Sequence, residues 1–355
     1  MLIDSATHDS GDPTAAEAAA LAAEADGYDA FKTSETKHDP FVSLALAARA
    51  TATITLRSEI AVAFARNPMN VAVLANDIQL ISSGRFQLGL GSQVRPHIER
   101  RFGMPWGHPA ERMEEFIAAV RAIWGSWNAG TGLAFRGAYY QHTLMTDFFN
   151  PGPNPYGTPD IMLAAVGDRM TAVAGRVADG LLCHGFTTEA YLRERTIPAL
   201  RAARGGLDGF AVCLPVLAVV GPDPKARAPA EASVRGRIAF YASTPAYRPV
   251  LELHGWASLG EQLNMLSRHQ EWAQMDELIT DDVLDTFAVS GSPAQVAAAI
   301  RHRFDDVVTR VSLYTPYQAD PRDLAATTAA LRCNGQHAEP NHDQRSGLPD
   351  RQTAD

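Results

Sequence analysis

SGRFQLGLGS, Ser83 to Ser92, is the stretch on which the reading of the fold turns. Ser83-Gly84 has turn chemistry, Phe86-Gln87-Leu88 alternates as a strand does, and Gly89-Leu90-Gly91 removes side chains from that strand's carboxyl end. The glycines are either plain turn chemistry or a place where a ligand approaches the backbone. A dinucleotide fingerprint needs a third glycine, but Val94 stands at that offset, which weakens a doubly wound sheet.

Upstream, Asn67-Pro68 reads as a cap followed by Pro at the first helical position, with Val71, Leu74, Ile78 and Ile81 as the apolar stripe. Before it, residues 54–64 read as a strand buried on both faces, interrupted by Ser58 and Glu59. Residues 28–34 form an earlier strand and 40–50 a helix. Between them Glu35-Thr36-Lys37-His38-Asp39 is a polar cluster at a strand end. Residues 1–6 form the first strand and 15–25 an Ala-rich helix stopped by Gly27.

Downstream, a helix opens at Pro109 and runs to Trp124, with Arg112 and Glu115 spaced to pair. Residues 126–160 are rich in Gly, Pro and aromatics and read as a long structured loop with a small hairpin at 135–140. Strands then fall at 161–166, 180–183, 210–220 and 311–314. Helices lie between them, and Ser292-Pro293-Ala294-Gln295 is a capping box. Residues 223–285 are too long for one crossover and read as a helical insertion.

Eight strands, each followed by helix, predict an α/β fold of the (β/α)8 TIM-barrel type. The insertion lies between strands seven and eight and the long loop between strands four and five. Residues 1–332 are expected to form one barrel domain and 333–355 a disordered tail.

The chain has 355 residues, 46% of them hydrophobic, and a formal charge of −9. With no Lys/Arg run, it is not read as a nucleic-acid binder, and the expected partner is a small molecule. Cys183, Cys213 and Cys333 lack C-x-x-C spacing, so neither a disulfide framework nor a metal site is expected. No leader pattern and no apolar run near the roughly 18 residues of a membrane span is present, which gives a cytoplasmic, membrane-free expectation.

In a barrel, ligands sit at the carboxyl ends of the strands. Polar residues predicted there are Glu35, Thr36, His38, Asp39, Glu59, Ser92, Gln93, His184, Tyr314 and Tyr317, with His97 a weaker addition. An imidazole suits proton transfer, although His38 beside Asp39 and Pro40 also suits a helix cap. Glu59 in a buried strand must be paired, protonated or functional. Gly167-Asp168-Arg169 opens a helix directly after a strand, where free amides favour an anion and Arg169 adds charge, or Asp168 simply caps a turn. His184, Tyr314 and Tyr317 are as readily packing groups as pocket walls. There is no nucleophile elbow, H-E-x-x-H or P-loop.

Three stretches, Ala63 to Ser92, Glu99 to Trp124 and Arg169 to Leu182, together resemble the bacterial luciferase-like monooxygenase superfamily. Within it the chain is most similar to the actinobacterial coenzyme F-420-dependent oxidoreductases, with the likeness running from about residue 28 to residue 332 and including Thr244 to Trp256 and Arg310 to Tyr317. The resemblance implies a barrel whose strand ends hold a deazaflavin or flavin ring, and a homodimer. It places the cofactor's phosphate end at Gly167, Asp168 and Arg169. It also places a non-prolyl cis peptide at Glu59-Ile60, against the ring together with Gly89, Gly91, Ser92 and Gln93.

The chain departs from the pattern at Thr36, where many relatives carry the histidine found here at His38, and at Gln93, where some dehydrogenases carry a glutamate acid. The leading expectation is hydride transfer between coenzyme F-420 and a small organic substrate. His38 would act as acid/base, Glu35 would orient it, and His184 and Tyr314 would line the substrate pocket. The alternatives are a flavin mononucleotide (FMN)-dependent monooxygenase using oxygen and a non-catalytic deazaflavin-binding protein.

Overall fold

The computed structural model describes residues 1–5 and 12–333. The expected tail lies outside the described residues, save Cys333, which ends the last helix, Pro321–Cys333.

Twelve strands are described: β1 Leu2–Ile3, β2 Ala30–Thr33, β3 Thr55–Ser58, β4 Ala61–Val62, β5 Phe86–Gly91, β6 Phe135–Arg136, β7 Gln141–His142, β8 Asp160–Ala165, β9 Gly180–Cys183, β10 Ala211–Val220, β11 Ala288–Gly291 and β12 Arg310–Tyr314. The main sheet runs β1-β12-β10-β9-β8-β5-β3-β2. A parallel bridge from Asp4 to Ala30 joins its two ends, so eight parallel strands close into a TIM-like barrel. All eight predicted strands are present. The strand β11 was not predicted; its four residues, between Phe287 and the cap Ser292, are too few to show a period, and it pairs with β10 outside the barrel circuit.

Between β3 and β4 the predicted polar break is a real change of register. Arg57 pairs with Gln87 and Ala61 with Leu90, so four residues on one strand span three on the other. The Glu59-Ile60 peptide within this bulge is cis. The glycines of β5 answer the bulge. A Cβ on Gly89 would stand 1.7 Å from the Ser58 carbonyl oxygen, and one on Gly91 2.8 Å from the Ile60 side chain. The space beside both glycines is therefore filled by the chain's own strand, which corrects the expectation that they are bare in order to admit a ring.

Two helix expectations also change. In Pro68–Ile81, Val71 and Ile78 are buried, but Leu74 and Ile81 are 36% and 41% exposed. Ala72 and Ala75 take the inward places instead, because the helix packs closely enough to favour small side chains. In Pro109–Ala129, Arg112 and Glu115 do not pair. Arg112 donates to Tyr140 Oη at 2.9 Å and the Pro105 carbonyl at 2.7 Å. Glu115 accepts from the amides of Ala138, Tyr139 and Tyr140 at 2.8, 2.7 and 2.6 Å. Three charge-assisted bonds outweigh one ion pair on a helix face, and they pin the long loop to the helix.

The insertion consists of five helices from Pro224–Ala242 to Asp281–Phe287. Val234, Ile238, Leu251, Leu263 and Met275 form its core, which continues onto Phe186, Leu217 and Val219 of the barrel side.

Candidate active site

The barrel interior is divided. On the β5, β8, β9 and β10 side Met162, Leu182 and Cys213 form a small buried apolar cluster with Ala164, Ala211 and Ile60. On the β1, β2, β3 and β12 side the fill is ionic. Lys32 Nζ donates to Glu59 Oε1 at 2.6 Å and to Ser312 Oγ at 2.7 Å. Arg57 donates to Glu59 Oε2 through Nε and Nη2 at 3.1 and 2.9 Å, to Gln87 at 3.2 Å, and to Asp4. Arg310 grips Asp4 Oδ1 through Nε at 3.0 Å and Nη2 at 2.6 Å.

Burial alone would push both carboxyl groups up. Arg57 and Arg310 overcome this at Asp4, and Lys32 and Arg57 overcome it at Glu59, so both sit below the usual carboxylate range and are ionised. Burial pushes the neighbouring Cys183 and Cys213 thiols up, Cys213 to about 11, so both stay neutral.

Glu59 is thus paired, the first of the three possibilities its position allowed. Sequence reasoning missed its partners. The signal was present in part, because Arg57 sits within a stretch read as a buried strand and Lys32 within one read as a strand, where a charge facing the interior needs a partner, while Arg310 fell one residue before the last strand as read.

At the mouth, Glu35 accepts from the Val62 amide at 2.7 Å and from Arg66 Nη1 at 2.5 Å, while Arg66 Nη2 reaches Asp39 at 2.7 Å. Asp39 caps the following helix through the Phe41 amide at 2.9 Å. The cap is thus Asp39, and His38 stands exposed on a loop closed by Arg66. Glu35 is held by Arg66 and the backbone rather than by His38. Ser92 bonds its neighbour's carbonyl, and Gln93, at φ 59°, folds its side chain onto the Val94 amide. His97 lies exposed in the turn His97–Arg101.

Gly167, at φ 76° with open space beside it, starts the helix Asp168–Val177. Asp168 pairs with Arg195 at 2.5 Å and Arg169 with Glu111, all four largely exposed. Thr187 Oγ1, in the loop after β9, is buried without a hydrogen-bond partner.

After β9, His184 Nδ1 accepts from the Phe186 amide at 3.0 Å, which leaves the proton on Nε2 to be donated to Tyr247 Oη at 3.1 Å. The rings of His184 and Tyr247 stack at 4.6 Å, and burial lowers the imidazole to about 4, so it is neutral. Tyr241 bonds Tyr314 at 2.8 Å, so the insertion lays two tyrosines over the strand ends. Tyr317 bonds the backbone of Ala218 and Val220 and fixes β10. A groove of about 570 Å³ lies beside this end, between Val220-Gly221, the start of the insertion and residues 317–323, apart from Glu59 and Gln93.

The Luciferase-like monooxygenase family profile matches residues 2–310, and the chain belongs to that family. It is an enzyme of the luciferase-like oxidoreductase superfamily. An uncharacterized protein of Mycobacterium tuberculosis is 50% identical over 297 residues, covering 82% of this chain and 87% of the relative. A 5,10-methylenetetrahydromethanopterin reductase of Archaeoglobus fulgidus is 26% identical, covering 79% and 82%. In fold, the chain resembles the coenzyme F-420-dependent tetrahydromethanopterin reductase of Methanopyrus kandleri with a TM-score of 0.74 at 19% identity, over 93% of this chain and 96% of that one. Among the described residues no helix is long and apolar enough to cross a membrane, and no metal-binding cluster of His, Cys, Asp and Glu occurs.

Proposed function

We propose that the chain is an oxidoreductase that moves a hydride between C5 of a bound deazaflavin, coenzyme F-420, and a small organic substrate. The observation that carries this reading is the correspondence, along nearly the whole chain, to a reductase named for its dependence on that coenzyme. The residues suit such a group. The helix start at Gly167 is open beside Arg169 and Arg195, and Thr187 offers an unpartnered hydroxyl.

When bound, a deazaflavin supplies hydride chemistry at C5. The chain's part is orientation and proton handling. His38, exposed at the mouth, gives or takes the substrate proton, and Glu35 positions its loop through Arg66 and Asp39. Glu59, Ile60, Ser92 and Gln93 line the ring side, and Gly167, Asp168 and Arg169 take the phosphate. His184 and Tyr314 wall the substrate side. Neutral His184 serves there as a hydrogen-bond donor rather than a base, since its Nδ1 is occupied by the Phe186 amide.

The family description favours a second reading, an FMN-dependent monooxygenase built on the same residues. Parallel binding titrations with coenzyme F-420 and FMN separate the two. Tighter F-420 binding and a strong loss of turnover in His38→Ala at unchanged cofactor affinity are expected. Oxygen consumption with reduced FMN supports the second reading, and failure of both cofactors to bind overturns the proposal.

A further inference from the structure

We infer that the helical insertion holds an anionic oxygen group of the substrate, a carboxylate or a phosphate ester, with Arg237 supplying the charge and the Tyr247 hydroxyl a hydrogen bond. This deepens the proposed oxidoreductase reading and rests on it only in calling the bound anion a substrate.

A series of hydrogen bonds with a free end leads to the site. The Phe186 amide can only donate, so His184 Nδ1 accepts from it at 3.0 Å and carries no proton. Burial keeps the imidazole neutral, and its one proton, on Nε2, goes to Tyr247 Oη at 3.1 Å. Tyr247 is the acceptor of that bond, so its own O–H is left without an acceptor among the described residues. Burial also pushes the phenol up to about 12, which keeps the hydroxyl a donor.

An unpaired cation stands on the same wall. Arg237, half-buried in the helix Pro224–Ala242, has its guanidinium 5.7 Å from the centre of the Tyr241 ring. Its side chain forms no hydrogen bond or ion pair among the described residues, whereas Arg235, two positions earlier, is held by Glu231, Asp281 and the Ile279 carbonyl. The Tyr241 ring meets His184 edge-on at 4.6 Å and Tyr247 at 5.9 Å, and its hydroxyl bonds Tyr314, the last residue of β12, at 2.8 Å. The free hydroxyl and the free guanidinium therefore flank one ring, at the carboxyl ends of β9 and β12.

No carboxylate of the surroundings takes up the charge. Arg248, next to Tyr247, is likewise half-buried and unpaired, and Glu252, one turn beyond it, is exposed and forms no ion pair. The Asp276 carboxylate packs beside Gly236, yet burial raises it and no cation lowers it, so Arg237 is not its partner. Glu194 and Asp282 act on His254 instead. Donors and positive charge suit an anionic acceptor and disfavour a cationic substrate.

The experiment takes the full chain, first without cofactor and then saturated with coenzyme F-420 or FMN, and titrates benzoate, phenyl phosphate and neutral benzamide by calorimetry. Wild-type protein is expected to bind at least one of the anions about tenfold more tightly than benzamide, as for a charge-assisted bond. The better bound of the two assigns the group as carboxylate or phosphate. Arg237→Gln should erase the preference and leave benzamide unchanged, while Tyr247→Phe should weaken anion and benzamide alike, by about threefold. Absence of any preference in wild-type protein, or a preference that survives Arg237→Gln, overturns the inference. So does a loss of cofactor affinity in Arg237→Gln at unchanged anion affinity, which gives the charge to the cofactor, and unchanged affinities in Tyr247→Phe remove the hydroxyl from the site. Thermal melts check each variant, and if Arg237→Gln does not fold, Arg237→Met, which keeps the stem over Tyr241, takes its place. Failure of both cofactors to bind sinks the oxidoreductase reading alone, because the anion titration is read without them.

Discussion

The two halves of the barrel interior fill the same kind of space with opposite chemistry. Met162, Leu182 and Cys213 pack on the β8, β9 and β10 side by dispersion and exclusion of water. Asp4, Lys32, Arg57, Glu59 and Arg310 do so on the other side through directed bonds between ions. An apolar half loses stability in proportion to the cavity left by a lost atom, while in an ionic half each removed partner leaves a buried charge less compensated. The difference separates a region that supplies stability from one that holds charge beside the mouth.

The strongest way to break this comparison is Arg57→Met, which takes one of two cationic partners from each of Asp4 and Glu59. A loss of about 3–5 kcal/mol is expected in urea unfolding. A midpoint close to wild type would show that Asp4 and Glu59 are satisfied without it. Leu182→Ala, on the apolar side, should cost about 2–5 kcal/mol in the same measurement. The contrast sharpens if its loss is the same at pH 5 and pH 8. Gly89→Ala tests the seam between the halves. Its new methyl meets the Ser58 carbonyl oxygen, which belongs to the backbone, so about 1–3 kcal/mol of destabilisation is expected by thermal melting.

The smallest effect is the pH profile. His184 is lowered from 6.5 to about 4, so its unfolded form binds a proton first and stability should fall as pH drops from about 6.5 toward 4. Asp4 and Glu59 are lowered from 3.8 and 4.5, so their contribution is complete above those values and is lost as pH falls below them. In denaturant titrations across pH, His184→Gln should flatten the upper leg alone. A slope that survives this substitution would assign it to another group.

Much of this was legible in order along the chain. Eight strand positions, the insertion and the capping box at Ser292 follow from period and turn chemistry, which are local. So does the polar break at Ser58 and Glu59. Less legible was anything decided by a neighbour distant in sequence. Leu74 and Ile81 fit an apolar stripe yet face outward, because the packing partner prefers Ala72 and Ala75. Arg112 and Glu115 were well spaced, but Tyr140 and the amides of the long loop bound them first. Glu35 and Asp39 lie at the two ends of one short polar loop, and Arg66, distant in sequence, ties them together and leaves His38 exposed between them.

By itself the sequence determined the alternation of strands and helices, and hence a largely parallel sheet with helices on its faces. Hydrophobic period and backbone preference act over a few residues and need no fold to be read. Only the tertiary structure decided why Gly89 and Gly91 are glycines. Their missing side chains make room for Ser58 and Ile60 of the next strand. Only the structure, too, gathered Asp4, Lys32, Arg57, Glu59 and Arg310, up to 306 residues apart, into one network. Charges find partners by distance in space, and closing a barrel is what sets that distance.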